Sequence, residues 1–155
     1  MTAAGNAPDT LEDATTRDLR HLVDDYVRRV WNGHDASAVA EFAPDDTALA
    51  FGDTPVTYVS RSELVQRVAH VLTLIPDHHL TVGTIVVQGE EVIWEWRLTG
   101  TFHDERGAFP VDAKGLTYWQ VRDGLIVARN GVMDLMTWAW QIKAVDRRIQ
   151  LLMPV

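Results

Sequence analysis

The sequence predicts an α+β domain: three helices, a meandering antiparallel sheet and a closing helix. Three observations carry that reading. Apolar residues recur at helical steps from Leu19 to Trp31, from Leu64 to Ile75 and from Leu135 onward. Between the last two lie strand-like runs separated at hairpin spacing by Gly89-Glu90, Asp104 to Gly107 and Asp123-Gly124. The stretch Val92 to Phe102, V-I-W-E-W-R-L-T-G-T-F, alternates between unlike faces. Trp94, Trp96 and Leu98 fall on one side and Glu95, Arg97 and Thr99 on the other. A face with two tryptophans needs cover from helices, from a ligand, or from both.

In chain order, residues Met1 to about Arg17 are small, polar and acidic without periodicity, and are expected to form a mobile tail ahead of a single domain over 18–155. The first helix carries Leu19, Leu22, Val23, Tyr26, Val27, Val30 and Trp31 on one stripe and stops at Asn32-Gly33. Asp35 caps a short second helix, Ala36 to Phe42, closed by Pro44-Asp45-Asp46. Thr47 to Phe51 reads as a strand followed by a Gly-Asp-Thr-Pro turn. Ser60 or Ser62 caps the third helix, Glu63 to Ile75, whose buried stripe is Leu64, Val68, Val71, Leu72 and Ile75. Strands follow over His78 to Gln88, Glu91 to His103, Lys114 to Arg122 and Leu125 to Met133. Asp134 then caps a helix with Leu135, Trp138, Ile142, Val145, Ile149 and Leu152 aligned, ending at Pro154.

Composition narrows the function. With 155 residues the chain holds one core of useful size. It has no cysteine, so disulfide, thiolate and cysteine-metal chemistry are excluded. A net charge of −8 with no basic run argues against nucleic acid as partner. No apolar run reaches membrane-spanning length and the first residues lack a signal-like core, so the expected location is the cytoplasm, with no membrane partner. His78-His79 beside Asp77 is not a metal site, because adjacent strand residues point to opposite faces; no metal and no cofactor are expected.

The stretch Tyr26 to Asp46, Y-V-R-R-V-W-N-G-H-D-A-S-A-V-A-E-F-A-P-D-D, resembles the opening of the nuclear-transport-factor-like superfamily. Ile75-Pro-Asp-His-His-Leu, the Trp-x-x-x-Gly strand within Val92 to Gly100, and Arg122-Asp-Gly-Leu-Ile-Val followed by Met133-Asp134 resemble the SnoaL-like polyketide cyclases of that superfamily. Together these pieces run from Leu19 to about Ile142. The resemblance implies a curved antiparallel sheet wrapped around helices as a cone, enclosing an apolar pocket. That fold hosts isomerases, epoxide hydrolases, dehydratases, cyclases and non-enzymatic binders, so it does not fix a reaction.

The resemblance also implies which residues face the pocket. Relatives that hydrolyse epoxides put Trp96, Leu98, Thr117, Trp119, Gly131 and Met133 on the wall. Alternation adds Trp94, and the first helix adds Tyr26, Val27 and Val30; Leu49, Phe51 and Leu72 complete the expected substrate-binding set. The alternative for the aliphatic members is plain core packing. Where ketosteroid isomerases carry their general-base aspartate, this chain has Ala50 or Phe51. The epoxide hydrolases' carboxylates correspond to Leu98 and Gly131, and their arginine to Trp96. Neither reaction therefore has its proton carrier here.

Four polar side chains remain as catalytic candidates: Tyr26, His78, Thr117 and Arg129. Tyr26 matches the oxyanion-donating tyrosine of the isomerases, or is a helix residue with its hydroxyl at the rim. His78 is a neutral-pH acid/base, or a hydrogen-bonded structural histidine. Arg129 could hold a carboxylate or enolate, or sit exposed at the sheet edge. Asp134 is read first as a helix cap. The expected function is a cofactor-independent cyclase or isomerase of antibiotic biosynthesis acting on a hydrophobic polyketide-like intermediate, by confinement or by aldol-type closure. A non-catalytic binder of a lipophilic molecule is the alternative, and the Glu95/Arg97/Thr99 face is the expected surface of a homodimer.

Overall fold

The computed structural model describes residues 14–145. Most of the expected tail, and Ile149, Leu152 and Pro154 of the expected last helix, lie outside them. Helix α1, Ala14–Tyr26, begins a turn before the apolar periodicity and buries Leu19, Val23 and Tyr26. It runs on as a π-helical turn, Val27–Trp31, closed by Asn32 N–H donating to the Val27 carbonyl and Asp35 N–H to that of Val30. Three- and four-residue steps do not foretell such widening, which is often found at functional sites. Gly33 is required just beyond it: a Cβ there would lie 2.4 Å from the Arg29 carbonyl oxygen. Asn32 does more than end the helix. Its amide donates to the Leu80 carbonyl (2.9 Å) and accepts from Leu80 N–H (2.8 Å), clamping this corner to the sheet.

Asp35 caps a short 3-10 helix, Ala36–Glu41, accepting from the backbone of Ser37 and Ala38. Strand β1 is Asp46–Phe51. Strand β2, Thr57–Ser60, was not expected, because its four residues are too few and too exposed to show alternation. Of the two candidate serines, Ser60 caps helix α2, Arg61–Leu74, and Glu63 completes a reciprocal capping box.

Strands β3 (His79–Gln88), β4 (Glu91–Asp104), β5 (Gly107–Arg122) and β6 (Leu125–Met133) form successive antiparallel hairpins. Strand β5 starts well before Lys114, pairing with β4 out to Asp104↔Gly107. The sheet order is β2-β1-β6-β5-β4-β3, and β1 lies parallel to β6. The sheet is thus not wholly antiparallel. It curves without closing, with the helices on its concave side. Helix α3, Leu135–Gln141, follows; Asp134 caps it by accepting from Thr137 N–H, and none of its residues is fully buried.

Two apolar clusters result. The larger joins α1, the 3-10 helix, α2 and the inner face of the sheet; the smaller joins Ile75, Leu98, Phe109, Val111 and Ile142, with Phe102 and Trp138 against it. Among the described residues no helix is long and apolar enough to cross a membrane.

Candidate functional site

Side chains of one parity on β1, β4, β5 and β6 form rows across the concave face. Trp94 pairs with Thr117, Thr117 with Gly131, and Gly131 with Phe51. One step toward α1 the row is Val92, Trp119, Arg129 and Leu49; one step away it is Trp96, Gly115 and Met133. Helix α2 spans the rows from above with Leu64, Val68 and Val71. Between sheet and helix lies a cavity of about 470 Å³, bounded at its other end by Leu98, Phe102 and Trp138.

Nine of the sequence-designated residues line it: Leu49, Phe51, Trp94, Trp96, Leu98, Thr117, Arg129, Gly131 and Met133. Six do not. Val27, Val30 and Trp119 are buried in the larger core, and Trp119 has the right parity but sits one pair too deep. Leu72 packs against that core from α2, while Leu64, Val68, Val71 and Leu74 present the cavity face of the helix. Tyr26 is fully buried, with its ring edge-on to Phe42 (5.2 Å) and Trp119 (5.0 Å). Its hydroxyl accepts from Arg129 Nη2 at 2.6 Å, so it is neither at the rim nor in the cavity.

His78 also lies off the wall. It precedes β3 in the Pro76–His78 turn, which docks closely enough on β4 that a Cβ at Gly100 would come within 2.6 Å of Ile75. The imidazole is buried, with Nδ1 bonded to the Ile75 carbonyl (3.0 Å) and the ring stacked on His34 at 4.5 Å. Burial pushes its pKa below the usual histidine value and the neighbouring His34 adds to this, against the pull of the Ile75 carbonyl. This surrounding favours the uncharged imidazole.

Two features place polar chemistry on the wall. Trp96 lies across Gly115, where a Cβ would sit 2.2 Å from the indole. From there its Nε1–H donates to Thr117 Oγ1 at 3.0 Å, which leaves the threonine O–H to donate elsewhere. Arg129 is half-buried, with its guanidinium 5.0 Å from the Tyr26 ring centre and 5.9 Å from that of Trp119. Arg67 of α2, exposed at the rim, is the other charged lining residue. No aspartate, glutamate or histidine is among the described residues that line the cavity, and no group of three or more described His, Asp or Glu residues could hold a metal ion. Sequence reasoning missed α2's cavity face, Phe102 and Trp138; the helical stripe of Leu64, Val68 and Val71 was the signal for the first.

Solved structures share this architecture. A protein provisionally assigned as a SnoaL-like polyketide cyclase from Jannaschia sp. CCS1 superposes with a TM-score of 0.73 at 17% identity, covering 92% of this chain and 100% of that one. IdmH from Streptomyces antibioticus, provisionally a polyketide cyclase, gives 0.68 at 22% identity over 80% and 97%. AclR from Streptomyces galilaeus, provisionally a hydroxylase, gives 0.72 at 18% over 84% and 98%. At these identities the likeness is one of fold, and the assignments already differ in chemistry. No curated protein matches significantly. Residues 23–129, which include β1 to β5 and the first part of β6, match the SnoaL-like domain, and the chain belongs to that family.

Proposed function

We propose that this protein is a cofactor-independent cyclase that folds a hydrophobic polyketide-like intermediate into a reactive shape. The observation that carries the reading is the cavity of about 470 Å³, walled by rigid aromatic and aliphatic side chains and free of carboxylates and imidazoles among its described lining. Such a wall suits a ring closure in which no proton is relayed. In a cycloaddition two σ bonds form as two π bonds are consumed, and nothing leaves. Holding both ends of a flexible chain in contact can supply about 7–11 kcal/mol at the upper end. The Thr117 hydroxyl, its lone pair already engaged by Trp96, is the donor that polarises a substrate carbonyl. Aldol closure with His78 as base is the weaker version, since that ring is turned into the Ile75–Trp31 seam.

Work on a polyketide of antibiotic type in the cytoplasm is part of the same proposal, supported by the Streptomyces structures of like fold. So is a homodimer through the outer face of the sheet. There exposed Leu116 and Val132 pair across β5 and β6, beside the Arg97–Asp112 ion pair.

The test is quenching of tryptophan emission by a panel of linear polyenes and polyketides, followed by product analysis. Saturable micromolar quenching with product formation is expected, and Thr117→Val should lower turnover by about tenfold with affinity unchanged. Binding without turnover of any bound polyene would make the protein a carrier. No response from the folded protein would remove the ligand site itself.

A further inference from the structure

The cavity is charged in a one-sided way. The protein carries 22 acidic against 14 basic residues, yet the two charged side chains on the described cavity lining are both arginines. Arg67 is exposed at the rim and close to solvent. Arg129 is not. It sits half-buried in the row next to the sealed aromatic core, and no carboxylate among the described residues pairs with it. Arginines elsewhere have such a partner: Arg28 with Asp25, Arg29 with Glu41, Arg61 with Asp45, Arg97 with Asp112, Arg106 with Asp104 and Arg122 with Glu90.

What holds Arg129 is unusual for a cation. One N–H goes to the Tyr26 hydroxyl oxygen, and the plane is flanked by the Tyr26 and Trp119 rings. A guanidinium only donates, so at 2.6 Å the tyrosine must accept. The phenolic proton then has no acceptor recorded among the described residues, and the Nε1–H groups of neighbouring Trp94 and Trp119 have none either. The rings packed behind Arg129 thus offer it donors and no anion, and Asn130 Oδ1, an unpartnered acceptor on the described lining, is uncharged. A guanidinium partly shielded from water by apolar walls and left without a counter-charge is unfavourable, and an anion entering the cavity relieves it.

We propose that the site takes an acidic ligand: an apolar molecule whose single ionised group, a carboxylate or an ionised enol, docks on Arg129, with Tyr26 as a positioning residue that fixes the guanidinium. Both anions offer delocalised negative oxygen to the planar fork. The inference rests on the cavity being a ligand site, and it adds polarity to it. With the anion at Arg129, the apolar remainder runs past Thr117, a diagonal neighbour about 7–8 Å away across β5 and β6, toward Trp96 and Trp138. The ligand thus enters tail-out, and its reactive carbonyl belongs one strand step from its acidic end.

The experiment compares two matched pairs by tryptophan quenching: 2-anthracenecarboxylate with its methyl ester, and the 4-hydroxycoumarin anion with its 4-methyl ether. Wild-type protein is expected to bind the anion of at least one pair about tenfold or more tightly than its neutral partner. Whichever pair discriminates identifies the anion. Arg129→Gln should erase the preference while leaving the ester or ether within about twofold. Should that variant fold poorly, Tyr26→Phe keeps the ring and removes the hydroxyl, and a several-fold smaller preference is expected, together with unchanged affinity for the neutral compound. Equal affinity of acid and neutral partner in both pairs overturns the inference and leaves the hydrophobic site standing. Failure of all four compounds to bind folded protein overturns the site as well.

Discussion

The two ends of the cavity are built differently. At the α1 end, Tyr26, Phe42, Trp94 and Trp119 meet edge to face with centroids 5.0–5.2 Å apart, and none is more than 5% exposed. At the α3 end, Phe102 of β4 and Trp138 of α3 also meet edge-on, at 5.7 Å, but both are half-buried and α3 has no buried residue. The same ring geometry thus serves two purposes. Where burial is complete it fixes Arg129 from behind, so stability and ligand recognition are tied together. Where burial is partial, the rings cover a ligand without holding up the fold.

The strongest way to break this contrast is truncation at each end. Trp119→Ala is expected to destabilise by about 3–5 kcal/mol in urea unfolding. Trp138→Ala should stay within about 1 kcal/mol while weakening binding of long apolar ligands. Similar losses from both would show that α3 is part of the core. The glycines sharpen the same point. Gly115→Ala places a methyl group into the Trp96 ring and the Val132 carbonyl, so a loss of about 1–3 kcal/mol is expected. At Gly131 the nearest atoms to an added Cβ are Phe51 carbons at 3.6 Å and the Thr117 hydroxyl at 3.9 Å. Gly131→Ala should change melting by no more than about 0.5 kcal/mol while reducing affinity, since it takes only cavity space.

The mildest test is pH. His78 is held neutral by burial, its folded pKa lying below the unfolded value of about 6.5. The unfolded chain binds the proton more readily, so stability falls as pH drops through that unfolded value and levels off below the folded one. Melting curves of His78→Leu should therefore show a shallower decline over this window than wild type, at lower absolute stability. A parallel decline would mean that other groups govern the acid limb.

Much of the wall was legible because the family resemblance pointed to one face of each strand and strands alternate strictly. The resemblance implied Trp96, Leu98, Thr117, Gly131 and Met133, alternation added Trp94, and all six line the cavity. Parity says which face but not how deep: Trp119 shares the face of Thr117 and is sealed under Tyr26. The helices were harder, since a broad apolar stripe on α2 serves core and cavity at once, with Leu72 on one side and Val71 on the other. Partners across long separations were invisible. Nothing in the chain announces that Tyr26 would meet Arg129, 103 residues on, or that Asn32 would clamp Leu80. Strand β2 and the first half of β5 went unread because each takes its order from a neighbouring strand more than from its own pattern.

The parallel pairing of β1 with β6 has a consequence in time. Ala48 finds Ala128 only after the intervening chain has folded back on itself, a closure whose entropy is spent before any contact repays it. The β3–β6 hairpins are local and can form early. Leu49 and Phe51, by contrast, reach their places beside Arg129 and Gly131 through that late closure. The wall of the cavity is thus completed near the end of folding, and a chain emerging from the ribosome has no finished pocket until β6 has been made.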